Sequence, residues 1–79
     1  MTATMINMEL MHADNLTPDQ LMVDDLIKVD GDLVSVIGIE SDATGDIYFI
    51  GYQDEFGNKD VAEFNYNDLI AFYVYVEHE

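Results

Sequence analysis

The chain has 79 residues, a net charge of −15 and no cysteine. Its length holds one domain, and without thiols there are no disulfide staples and no thiolate metal sites. Two cations among seventeen acids cannot supply the phosphate contacts on which direct nucleic-acid binding rests, nor attraction to an anionic membrane.

An apolar fraction of 49% separates the chain from disordered acidic segments, which pair high charge with low hydrophobicity. A domain this small buries only about 60% of its unfolded surface, so packing, helped by self-association, must stabilise it. No run approaches the roughly 18 apolar residues of a membrane span. MTATMINMELMH has no basic residue ahead of its apolar part, a poor secretory signal, and a cytoplasmic location is expected.

In chain order, Ile6, Met8 and Leu10 alternate with Asn7 and Glu9, a period of two that favours a strand over a flexible arm in residues 1–15. His12-Ala13-Asp14-Asn15 reads as a connection. Thr17-Pro18-Asp19-Gln20 has the residue types of a capping box with proline at the first helical position. Leu16 and Leu21 are spaced as a hydrophobic staple, and Asp24-Asp25 soon follow, so one helical turn is expected over 17–22. Leu26 to Val29 is a strand. Asp30-Gly31-Asp32 is a tight turn in which glycine supplies positive φ.

Leu33 to Ile39 is apolar on both faces, which predicts a central strand covered on both sides, with a bulge at Gly38. A loop over 41–46 leads to a strand from Ile47 to Gln53. The connection Asp54-Glu55-Phe56-Gly57-Asn58-Lys59 then leads to a strand from Val61 to Tyr66, with Ala62 and Phe64 inward and Glu63 outward. After a turn at 65–68, Leu69 to Val76 is a last, continuously apolar strand ending in the gatekeepers Glu77 and Glu79. Such an edge needs cover, from the N-terminal strand or from a second copy in a homodimer.

Short strands punctuated by Gly and Asp turns give an all-β class: a small SH3-like barrel or curled antiparallel sheet of five to six strands over residues 16–79. The segments Val23-Asp24-Asp25-Leu26-Ile27-Lys28-Val29-Asp30-Gly31 and Val34-Ser35-Val36-Ile37-Gly38-Ile39 resemble the opening hairpin of SH3-like barrels. There an apolar strand enters after an acidic or glycine pair and turns at Asp-Gly. Where that pattern has glycine before the first strand's aspartate, this chain has Asp24. Residues 16–76 also resemble the short acidic early proteins of tailed phages, especially those infecting actinobacteria. The resemblance implies a fold and a phage origin, and carries over no catalytic residue.

The chemistry-bearing residues do not assemble into an enzyme. Most acids fall in turns or at alternate strand positions, where solvent keeps them ionised, whereas acid–base catalysis needs a carboxylate with a shifted pKa beside a second group. Ser35 and Ser41 lack a nucleophile-elbow context, and His12 and His78 lie near opposite ends of the chain. Asp42-Ala43-Thr44-Gly45-Asp46 begins like an oxygen-rich calcium loop but lacks the later ligands. No catalytic residue, cofactor or dedicated metal site is expected.

Interaction is the remaining class. Nine Phe and Tyr exceed what so small a core needs, and tyrosine is enriched in binding hot spots while charge is pushed to the rim. Tyr48 and Tyr52 share a strand face with Ile50, and Tyr73 and Tyr75 share one with Ala71. Phe56 stands at a hairpin tip. The acids Asp24, Asp25, Asp30, Asp32, Glu40, Asp42, Asp46, Asp54, Glu55, Asp60, Glu63 and Asp68 lie on turns and edges, where a rigid scaffold can array charge as duplex DNA does. The expected contact residues are Asp30, Asp32, Asp54, Glu55, Phe56, Tyr48, Tyr52, Tyr73 and Tyr75. They face a host protein with a basic surface, such as a nucleic-acid-handling protein blocked by DNA mimicry. The alternative is a structural protein that self-assembles through its edge strands.

Overall fold

The computed structural model describes residues 7–78; Ile6 and Glu79 lie outside them. Among the described residues six antiparallel strands form one curled sheet: β1 (Asn7–Leu16), β2 (Leu26–Val29), β3 (Asp32–Ser41), β4 (Ile47–Gln53), β5 (Lys59–Asn65) and β6 (Ile70–His78), with a single 3-10 turn at Pro18–Gln20. Their order across the sheet is β1-β6-β2-β3-β4-β5. No helix among the described residues is long and apolar enough to cross a membrane.

Period-two alternation sends one set of side chains to the concave face. Ile27, Val29, Val34, Val36, Ile50 and Ile70, with Leu21, form the buried core, and Leu16, Ile39, Tyr48, Tyr52, Ala62 and Phe64 pack against it. The 3-10 turn supplies a plug: Pro18 and Leu21 are buried, the Thr17 N–H donates to Gln20 Oε1 (3.2 Å) and the Thr17 hydroxyl donates to Asp19. Gln20 therefore closes the turn as the capping-box spacing predicts.

Three backbone features shape the curl. Asp30 (φ 50°) and Gly31 (φ 85°) both occupy the left-handed region, which a two-residue hairpin requires to match strand twist. Asp24 stands at φ 79°, so it occupies a glycine-type conformation at the position where the SH3-like pattern has glycine. The register slips between Val36 and Gly38, with Ile37 as the extra residue of a bulge.

Two expectations are corrected. β3 is central, but only its concave face is covered: Ile37 is 40% exposed, because among the described residues no second layer packs on the convex side. Residues 12–15 are strand, not connection. β1 continues to Leu16 through a register shift between His12 and Asp14, pairing along the whole of β6. β6 pairs with β2 at Leu26↔Tyr73 and Ile27↔Phe72. Beyond Tyr73, β1 and β6 run on as a two-stranded ribbon, and the molecule is drawn out to 57 × 24 × 20 Å.

Both edges of the sheet carry aspartates turned onto their own backbone. On β5, Asp60 accepts the N–H of Val61 and Asp68 that of Asn65, and on β1 Asp14 accepts that of Asn15, all at 2.8 Å. These groups would otherwise template an added strand.

Candidate partner-binding surfaces

The β4–β5 loop is built around Asp54. Its carboxylate accepts the backbone N–H of Phe56 (2.9 Å) and of Asn58 (2.9 Å) and the Asn58 side-chain amide (3.1 Å), and Gly57 turns the chain at φ 83°. The Asn58 backbone N–H, followed by its side chain and the N–H groups of Phe56 and Gly57, holds the Asp54 carboxyl below its usual range. With its backbone held this way, Phe56 projects from the tip and is 80% exposed.

The curl sets this loop beside the Asp30-Gly31 turn, because β3 pairs Ser35 with Gln53 and Val36 with Tyr52. Half-buried Tyr52 lies beneath both. Burial first, then the carboxylates of Asp60, Asp30, Asp32 and Asp54, raise its hydroxyl above the ordinary phenol value. These residues line a depression of about 250 Å³ at the open end of the core, with Lys59 on its rim. Glu55 and Phe56 line a neighbouring one of about 200 Å³ with Asp32 and Leu33. Neither lysine is ion-paired to a carboxylate among the described residues: Lys28 Nζ instead sits 5.5 Å from the centroid of the Tyr73 ring.

The nine expected contact residues therefore fall into three groups. Asp30, Asp32, Asp54, Glu55, Phe56 and Tyr52 come together at one end. Tyr48 is half-buried further along β4, opposite Phe64 and Ser41. Tyr73 and Tyr75 lie on the convex face of β6, where Tyr73 lies between Lys28 and the His12 ring, which is 5.4 Å away and tilted by 54°, and Tyr75 pairs with Leu10. Tyr48 and Tyr52 face the core, so they seal the sheet's rim rather than stand free.

Elsewhere the aspartates do local work. Asp42 Oδ1 accepts the Thr44 hydroxyl (2.8 Å) and the Asp46 N–H (3.2 Å), and the Thr44 bond leads the contacts that lower its pKa. Asp25 accepts the Met22 N–H (2.8 Å). Among the described residues no three His, Cys, Asp or Glu side chains gather to hold a metal ion.

The convex face holds a feature not singled out from the sequence. Ile37, Phe49 and Val61 flank Gly38 and Gly51 in a shallow trough of about 490 Å³. Gly51, a glycine inside a strand with apolar neighbours, was the available signal. The chain matches no known protein family, no characterised protein and no solved structure.

Proposed function

We propose that the chain is a non-enzymatic interaction module that captures a basic protein surface through its acidic hairpin end. The observation that carries this reading is the convergence of Asp30, Asp32, Asp54 and Asp60 with Tyr52 on one depression, beside Glu55 and the protruding Phe56. Carboxylates that no lysine pairs with steer a cationic partner at long range, and the exposed aromatic Phe56 beside them supplies short-range affinity.

The resemblance to acidic early proteins of tailed phages makes a host protein the partner. The density of carboxylates favours a nucleic-acid-handling protein, whose basic groove the module would occupy in place of DNA and so inhibit. Self-assembly through edge strands is the weaker reading, since edge N–H groups on β1 and β5 already bond to Asp14, Asp60 and Asp68.

Charge reversal tests the assignment. Asp32→Lys/Glu55→Lys should abolish capture of basic host proteins from lysate at about 0.15 M salt, where exposed charges act only within about 8 Å. Asp46→Lys/Glu77→Lys changes net charge equally and should leave capture intact. Equal loss from both variants would mean that bulk charge acts and the hairpin end does not.

A further inference from the structure

The trough on the convex face is independent of the acidic end, and its construction is unusual for an exposed sheet surface. Cross-strand register sets Glu40, Phe49 and Glu63 in one row over β3, β4 and β5, and Gly38, Gly51 and Val61 in the next. Neither glycine has positive φ, so the backbone does not demand them. A Cβ added at Gly38 would meet nothing within 4 Å, and one added at Gly51 would reach only ordinary contact with Ile37 Cγ1 and the Gly38 backbone at 3.6–3.7 Å. Strand residues with side chains would fit, yet the floor is bare.

Bulky apolar side chains surround this floor in water: Ile37 is 40%, Phe49 37% and Val61 60% exposed. The two carboxylates of the adjoining row stand on strands two spacings apart, about 10 Å, on either side of Phe49. A second copy of the chain would bring Glu40 and Glu63 against their own like charges, which is repulsive. A segment carrying an apolar side chain between two cations meets the whole pattern.

We propose that this trough is a docking surface for an extended, basic–apolar segment of a partner protein. One apolar side chain of the segment fills the space over Gly38 and Gly51, and its flanking Arg or Lys residues pair with Glu40 and Glu63. Alternation along an extended peptide puts residues i, i+2 and i+4 on one face, so Arg-Ala-Phe-Ala-Arg is the minimal probe.

The experiment is an amide-resolved NMR titration of the full chain with that acetylated, amidated pentapeptide and with its Phe-to-Ala counterpart. The aromatic probe should shift Gly38, Gly51 and Val61, and the alanine probe should shift only residues at the acidic end. Gly38→Val, which fills the trough with a residue suited to a strand, should weaken the trough response about tenfold or more. Asp32→Lys/Glu55→Lys should keep that response, so failure of the acidic end and failure of the trough read differently. Equal shifts from the two probes, shifts confined to the acidic end, or undiminished binding to Gly38→Val would overturn the proposal. So would a dimer in sedimentation that Gly38→Val dissolves, which would seat a second copy there.

Discussion

The curled part of the sheet and the β1–β6 ribbon are written in the same alternating code, yet they end in different environments. On β2 to β4, Ile27, Val36 and Ile50 are fully buried; on the ribbon, Met8 is 53%, Met11 44% and Tyr75 54% exposed. β6 belongs to both: Ile70 is 2% exposed at one end, and past Tyr73 the strand pairs, among the described residues, with β1 alone. Alternation specifies a strand; burial needs a further layer, which the curl and the Pro18–Leu21 plug provide at one end only. A two-stranded ribbon alone is marginal in water, so this one depends on its continuity with the core.

The sharpest way to break the comparison is to cut the core. Ile27→Ala removes a fully buried side chain and should cost about 2–5 kcal/mol, a large fraction of a small domain's stability, read as a lowered denaturant midpoint. On the ribbon, Tyr75→Ser should change global stability by less than about 1 kcal/mol. Amide exchange at Met8 to Met11 should quicken while exchange at Val36 and Ile50 stays put. A loss from Tyr75→Ser as large as that from Ile27→Ala would show that the two regions unfold as one unit.

At the start of the curled part, Asp24→Gly relieves a left-handed backbone and should raise stability by a few tenths to about 1 kcal/mol. Thermal melting would show it, and a lower midpoint would mean that the Asp24 side chain stabilises the turn. The smallest effect belongs to the hairpin tip. Because the folded-state Asp54 carboxyl lies below its ordinary 3.8, its contribution is complete above 3.8 and is lost as pH falls through the lower folded value. Asp54→Asn should flatten that part of the acid limb and speed exchange at Phe56 and Asn58, leaving the ribbon unaffected.

Much of the fold was legible in the residues. Leu26 to Val29 and Ile47 to Gln53 have their expected bounds, and Gly38 adjoins the bulge, because turn chemistry and period two act locally. The sequence pattern ends β1 before His12, since polar Asp14 and Asn15 look like loop while their backbone pairs with Phe72 and Ala71. Of the candidate site, the acids were visible one by one, but their convergence on Tyr52 depends on the curl, a long-range property. Likewise, alternation puts Tyr48 and Tyr52 on one face with Ile50, yet nothing local shows that this face is the inner one.

The aspartates that bond the edge N–H groups of β5 do two things at once: they occupy the donors that an added strand would use, and they keep copies of the molecule apart. Asp60→Ala/Asp68→Ala removes both in the same step and leaves that margin uncapped. The double variant should therefore drift toward cross-β fibrils rather than toward a merely loosened monomer.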